Sequence, residues 1–516
     1  MPDTTGHHSP VVRRLAELAV LWTLFGMIWF MSGSLDLLTR SFWMDEVHTW
    51  LLVNDSDPIH AFQALRHGVD FNPPAYYLAA RTLRLLPGNL TELRLRLFSA
   101  GLMLLALSGC YLILRRRVSF LSAAIAMLLV SGHPVVIHQC FEARFYAMWM
   151  ACLVWLVWIL DRSDRRLSRG EFIGSLILGV LVCTCHYFGI ISVLLVTTFQ
   201  IHKARGTRNR DGRMRQLLVL VAVSLASVGL CLPLLMGQRE ALSCATWVSA
   251  PTVDTSIAFL QSLLLPSVLM GLVFLAVLSN LKTDRLFPAS LDAAGLVPLC
   301  LMPVALLVMS WTLQPTMVLR YGIAGAFGLA PVYSGLISRI SPILRNVLLL
   351  TVIGWCVMSS KHCTEQWTAA ERRHIAVERF ADEQPPDRLI VMEDRIDWMP
   401  LIHRRPDLSG RCRLIDFDES QLPVPSCLRI VQRDVGRQVA RWYPGMQLQP
   451  IAQLNEEDEF AMLPYPGGAA DDIRYPKGFE THTSDGIGWL FRRFSSARAG
   501  DSVPMNRAAI ESGKLF

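Results

Sequence analysis

Along the first 360 residues, apolar runs long enough to cross a hydrocarbon core of about 30 Å alternate with short polar connections. The runs predict about eleven membrane-spanning helices, near 15–38, 93–114, 118–135, 145–160, 171–186, 187–202, 216–236, 257–280, 291–312, 318–338 and 345–360. The first is too long for a signal-peptide core and has no small-residue cleavage site after it, so it is expected to be retained. The stretch 171–202 must hold two short spans turning at "CHYFG" (185–189). Merged into one, it would put Arg162–Arg169 and Lys203–Arg215 on opposite faces.

After about Lys361 the pattern changes. "RLIVMED" (388–394), "RCRLIDF" (411–417) and "CLRIVQR" (427–433) are strand-like, with helix-like stretches at 364–382 and 434–443. "LPYPGGAADD" (463–472) is a predicted loop, and disorder is expected after about Ser495. The expected fold is therefore an all-α polytopic membrane bundle of about 11 transmembrane helices with a C-terminal extracytoplasmic α/β domain. Residues 1–360 would form the bundle, with a first outer loop at 39–92, and residues 361–516 the α/β domain.

Composition agrees: the chain is 52% hydrophobic with a mean hydropathy of +0.36, too apolar for an ordinary soluble enzyme. The net charge of +7 raises nucleic acid as a partner. Its distribution excludes that reading, because the basic residues bunch in short loops: Arg115–Arg117, Arg162–Arg169, Lys203–Arg215, Lys282–Arg285 and Arg339–Arg345. These fall on one, cytoplasmic, side if Arg13 and Arg14 are cytoplasmic as well. An odd number of crossings then places the tail outside the cytoplasm. Most of the 12 cysteines lie in apolar runs and read as small core residues, whereas Cys412 and Cys427 could pair in an oxidising compartment.

This topology gathers polar residues on the outer face. Asp45 and Glu46 follow the first span within "SFWMDEVHTW". On a helix, neighbours diverge by about 100°, so Asp45 shares a face with His48 and Thr49 while Glu46 shares one with Trp50. The bland alternative is a solvated pair, but acids held at membrane depth are functional candidates. In "FEARFYAM" (141–148), a continuous helix would align His138, Glu142 and Tyr146 on one stripe and aim Arg144 elsewhere. Arg144 suits a lipid-linked phosphate; an internal ion pair or a snorkelling arginine is the plain alternative. Arg320 and Tyr321 offer a second cation, or an interface anchor. In "NPPAYYL" (72–78), Asn72 can cap, the prolines suit a first turn, and Tyr76 and Tyr77 are structural unless one lines a groove.

No phosphate-loop or dinucleotide glycine fingerprint is present, and no H-E-x-x-H or paired C-x-x-C zinc motif. Asp45, Glu46 and Glu142 could hold a hard divalent cation, though their spacing does not demand one.

In order, "MDE", "NPPAYYL", "LRLRLFSA" (93–100), "EARFYA" (142–147), "HYFG" (186–189) and "VLRYG" (318–322) resemble the GT-C class of membrane glycosyltransferases. The branch is that of protein O-mannosyltransferases, the lipid A aminoarabinose transferase and transferases of lipopolysaccharide cores (glycosyltransferase 39/83-like). The resemblance covers most of residues 15–340. It implies a sugar donor on a polyprenyl phosphate, an extracytoplasmic glycan, lipid or protein acceptor, and a bacterial inner-membrane location with a periplasmic tail. It further implies Asp45 as catalytic base with Glu46 assisting, and Arg144 and, more weakly, Arg320 at the donor phosphate. Glu142, Tyr146, Tyr321, His48, Tyr76 and His186 are the remaining candidate substrate contacts. Metal dependence varies across the class. The rival is a transporter or flippase of lipid-linked sugars; such proteins show repeated halves and midplane polar sites, which this sequence lacks.

Overall fold

The computed structural model describes residues 10–161, 166–205, 210–243, 248, 250–279, 295–417, 427–456, 459–463, 479–484 and 488–493. The basic run Lys282–Arg285, the predicted loop beyond Leu463 and the end of the chain after Ser495 lie outside these residues.

In chain order the helices are α1 (Pro10–Met31), α2 (Met44–Asn54), α3 (Pro58–Arg66), α4 (Ala75–Arg81), α5 (Glu92–Leu114), α6 (Phe120–Ser131), α7 (Pro134–Cys140), α8 (Tyr146–Leu160) and α9 (Arg169–Cys185). There follow α10 (Gly189–Ala204), α11 (Arg210–Glu240), α12 (Val253–Leu264), α13 (Pro266–Ser279), α14 (Met302–Thr312), α15 (Ile323–Arg339) and α16 (Pro342–Glu383). Strands β1 (Leu389–Met392), β2 (Cys412–Asp416), β3 (Leu448–Pro450), β4 (Glu459–Leu463), β5 (Phe479–Ser484) and β6 (Gly488–Arg493) alternate at first with α17 (Arg395–Arg404) and α18 (Cys427–Trp442). The chain divides into two compact units, one of Met1–Arg40, Asn72–Leu232 and Val248–Trp367, the other of Ser41–Phe71, Pro233–Trp247 and Thr368–Phe516.

Among the described residues, four helices are long and apolar enough to cross a membrane, six if each of two bent pairs counts as one span. This is fewer than the eleven crossings read from hydropathy. One reason is that apolar length does not reveal breaks: the 118–135 run divides at Gly132–Pro134 into α6 and α7, bent by 74°. Pro134 cannot donate the backbone bond that would continue α6. The 257–280 run likewise divides into two helices bent by 53°. Three further apolar helices, Tyr146–Leu160, Gly189–Ala204 and Val297–Thr312, are shorter than a full span.

In the first unit, residues of several predicted cytoplasmic loops meet. Arg115 donates to both carboxylate oxygens of Glu17 on α1, at 3.0 Å each. Asp161, the C-cap of α8, lies 2.6 Å from Arg117 and 3.9 Å from Lys203 and accepts the Gly295 N–H. Arg213 donates to the Leu160 carbonyl at 2.8 Å. Buried acid and guanidinium satisfy one another here, which a low-dielectric surrounding requires. Nearby, α15 lies very close to the turn Val297–Leu301: a Cβ at Gly328 would sit 2.3 Å from the Cys300 nitrogen.

The second unit contains a sheet of order β3-β2-β1-β4-β6-β5. β1, β2, β3 and β4 run parallel to their neighbours in that group, while β6 is antiparallel to β4 and β5. Val391, Ile415, Ile430, Phe460 and Met462 form part of its core. The strands expected at 388–394 and 411–417 are present, but 427–433 is the first half of α18. Continuing the pattern explains the difference: Val431, Val435 and Val439 recur every four residues and are all buried, a helical period. The helix-like stretch 364–382 is the end of α16. Cys412 is a free, buried thiol on β2, and the side chain of Cys427 lies outside the described residues.

Candidate functional site

The first unit brings together three motifs expected on the outer face. The "FEARFY" segment is not one helix: α7 ends at Cys140, α8 begins at Tyr146, and between them the Arg144 N–H bonds to the Glu142 carbonyl at 2.8 Å. The expected His138–Glu142–Tyr146 stripe is therefore broken, because the chain turns tightly instead of completing the helical ladder. His138 instead accepts a 2.8 Å hydrogen bond from the Trp367 indole, whereas Glu142, Arg144 and Tyr146 are buried beside the turn.

His186, in the turn joining α9 to α10, stacks on Phe145 (4.8 Å between centroids) and on Trp149 (5.0 Å). Tyr321 completes the group, 5.1 Å from His186, 5.2 Å from Phe188 and 6.5 Å from Tyr146. The Arg144 guanidinium lies over Phe145 at 5.3 Å. The charges of Arg144 and Arg320 both act on His186 and on Tyr146, and Glu142 acts on Tyr146 as well. Two guanidinium groups and one carboxylate thus share an aromatic, largely buried neighbourhood. α8 connects it to the Asp161 ion pairs: fifteen residues at about 1.5 Å each separate the two ends by about 22 Å.

Tyr76 is fully buried and shares a 3.1 Å hydrogen bond with Ser99 of α5, so it joins α4 to α5. The expected cap at Asn72 is displaced, since α4 starts two residues later with Pro74 at its N-cap. The sequence reading passed over Arg96. It is wholly buried on α5 and donates to the Leu38 carbonyl at 3.3 Å and to the Arg40 carbonyl. A charge inside an apolar helix was the available signal.

In the second unit Asp45 and Glu46 occupy the first turn of α2, where acids complement the exposed N–H groups. Asp45 is half-buried. Glu46 is completely buried, and its carboxylate accepts the Trp43 N–H at 3.3 Å, fixing where α2 begins. His48 accepts at Nε2 from Arg395 of α17, 3.1 Å away, and Arg395 also donates to Gln432 of α18. Because arginine has no acceptor, this bond fixes Nε2 as the lone-pair nitrogen of His48.

Beside Arg395, Asp394 caps α17 by accepting the Ile396 N–H at 2.9 Å. Burial pushes its carboxyl up to about 6; the charge of Asp397 adds to the rise, while the Ile396 N–H, Arg395 and Arg373 oppose it. Among the described residues, no group of three or more His, Cys, Asp or Glu side chains is placed to hold a metal ion.

No protein-family model matches the sequence, nor does any curated protein. Among solved structures, ArnT from Cupriavidus metallidurans bound to undecaprenyl phosphate is similar, with a TM-score of 0.57 and 13% identity over 94% of this chain and 99% of that one. The same ArnT in the apo state aligns with a TM-score of 0.40 and 12% identity, covering 92% and 97% of the two chains. The Archaeoglobus fulgidus oligosaccharyltransferase in complex with Zn and sulfate gives 0.41 and 12%, covering 85% and 68%. The chain thus shares its overall fold with that ArnT structure, in line with the GT-C resemblance of its ordered motifs.

Proposed function

We propose that the chain is an integral membrane glycosyltransferase that moves a sugar from a polyprenyl-phosphate carrier to an extracytoplasmic acceptor, with inversion at the anomeric carbon. The convergence of Arg144 and Arg320 on the buried His186–Tyr146 neighbourhood carries the reading. The charges of Arg144 and Arg320 act on Tyr146 together with that of Glu142, and two guanidinium groups suit an anion such as a lipid phosphate. The fold it shares with ArnT bound to undecaprenyl phosphate supports the same donor class.

In this mechanism Asp45 takes the proton of the acceptor hydroxyl as its oxygen bonds to the anomeric carbon. The carbon–oxygen bond to the phosphate breaks on the opposite face, and its electron pair leaves with the lipid phosphate. Arg144 and Arg320 stabilise that charge. Glu46 assists by holding the start of α2, which carries Asp45 and His48. Tyr146, Tyr321 and His186 shape the donor side, and no nucleotide is needed because the donor arrives activated. We assign the chain to a bacterial inner membrane, with residues 361–516 periplasmic and a lipid A, polysaccharide, glycolipid or protein acceptor.

The 74° break between α6 and α7 favours a second reading, a flippase of lipid-linked sugars, since transporters build sites from discontinuous helices. Mass spectrometry of envelope glycolipids and glycans from cells with and without the chain identifies the sugar and acceptor, and an assay of polyprenyl phosphate released by the purified protein separates the two. Transfer predicts an acceptor lacking one sugar when the chain is absent, with free polyprenyl phosphate released by the purified protein. A flippase would move an intact donor and release none.

A further inference from the structure

In the second unit β2 and β3 extend the sheet to one side of β1 and β4 to the other, with all four strands parallel. Such a reversal opens a crevice at the carboxyl ends of the strands, the place where open α/β sheets take ligands. Here the segment leaving β1 is Glu393–Asp394, which opens α17. The Glu393 N–H bonds at 3.0 Å to the carbonyl of Leu463, the last residue of β4.

Polar side chains are drawn to this edge and buried. One stripe of α18 serves it: Arg429 lies 3.8 Å from Glu393, Gln432 accepts from Arg395, and Arg433 donates to the Phe417 carbonyl at 3.2 Å, just past β2. Arg395 in turn holds His48. Asp394 differs from these neighbours. Its Oδ1 caps α17, but among the described residues its Oδ2 has no hydrogen-bond partner, although Asp394 is only 2% exposed. A buried carboxylate oxygen without a donor is costly, and a ligand that supplies a donor relieves the cost.

We propose that this sheet edge is a carbohydrate-binding site in which Asp394 Oδ2 accepts a hydroxyl of a neutral sugar ring. The surrounding charges select that chemistry. Arg395 and Arg373 act electrostatically on Asp394 and disfavour an ammonium donor, while Asp394 and Asp397 together disfavour an anion. A neutral hydroxyl meets neither penalty. The site lies beyond the transferase reading and does not rest on it.

Saturation-transfer NMR on the full-length protein in detergent, with methyl α-glucopyranoside, methyl α-mannopyranoside and ethanolamine as separate probes, tests the assignment. Asp394→Asn keeps an oxygen for the Ile396 cap but replaces the second acceptor with an amide donor, and circular dichroism verifies its fold. The expected result is transfer to at least one glycoside, with affinity about tenfold weaker in the variant, as for the loss of one charge-assisted hydrogen bond. A matching thermal protection by the glycoside should appear in the wild type and shrink in the variant. Equal transfer in both proteins, or none to either glycoside in the wild type, overturns the proposal. So does transfer to ethanolamine alone. Because binding is read directly, failure here leaves the transferase test unaffected, and the reverse holds too.

Discussion

The imidazole of His186 lies almost parallel to the ring of Phe145, 14° between planes and 4.8 Å between centroids. This stack fastens the α9–α10 turn to the segment carrying Arg144, and so fixes where that guanidinium can act. Aromatic pairs of this kind add about 0.5–1.5 kcal/mol beyond their burial, alongside the hydrogen bonds that His186 accepts from the Phe188 and Gly189 N–H groups in the same turn.

Arg144→Lys retains a positive charge but loses the planar fork that can grip two phosphate oxygens. The KM for a polyprenyl-phosphate sugar should rise about tenfold, equivalent to 1.4 kcal/mol, with little change in the acceptor KM. Initial rates with each substrate varied in turn provide the measurement. A parallel rise in both constants would mean that Arg144 acts on the fold rather than on the donor.

Asp45→Asn should lower the transfer rate by about 10²–10⁴-fold, the range for removing a general base, while the thermal midpoint stays near that of the wild type. Glu46→Gln is expected to behave differently. It keeps an oxygen for the Trp43 N–H but removes the charge from the first turn of α2, and should cost about 0.3–1 kcal/mol in stability with a smaller loss of rate. Rate and melting measurements on both variants separate base from support.

What could be read from the sequence divides by the range of the physics involved. α5 and α15 were legible because each is an unbroken apolar run ending in polar residues. The kink at Gly132–Pro134 was hidden by the length of its hydropathy window, although the proline itself was in view. α18 was misread for the opposite reason: seven residues from Cys427 look strand-like, and only Val435 and Val439 reveal the helical period. At the site, "EARFY", "HYFG" and "LRYG" were legible as one group, but the turn at Glu142–Arg144 was not. Nor was Asp394, since an acid after a strand looks solvated until tertiary packing buries it.

Gly328 tests the close packing in the first unit. A Cβ there would lie 2.3 Å from the Cys300 nitrogen and 2.7 Å from the Leu299 carbonyl carbon, both backbone atoms that cannot rotate away. Gly328→Ala should therefore destabilise the protein by about 1–3 kcal/mol through overpacking. Gly354→Ala on α16, where among the described residues nothing lies within 4 Å of the added carbon, should be neutral or slightly stabilising through helix propensity. Thermal midpoints of the two variants in the same detergent provide the comparison, and equal midpoints would rule out the tight approach of α15 to the Val297–Leu301 turn.

Asp394 ties stability to pH in the direction opposite to most acids. Its carboxyl is raised from 3.8 to about 6, so the folded protein prefers the protonated form. That preference contributes fully below the unfolded value of about 3.9, fades as pH climbs through about 6, and is absent above it. A rise of about two pH units corresponds to about 3 kcal/mol. Arg395, Arg373 and Asp397 all act on the group, and other residues titrate in the same window, so the informative quantity is the difference between wild type and Asp394→Asn. Asparagine keeps the α17 cap without a charge to bury, and the variant should melt increasingly above the wild type as pH rises from 4 to 7, then hold a constant margin. A margin that does not change with pH would show that Asp394 titrates alike in the folded and unfolded protein, against the raised carboxyl. A margin that grows as expected would show that the chain retains a destabilising carboxylate, which selection for stability alone would not favour.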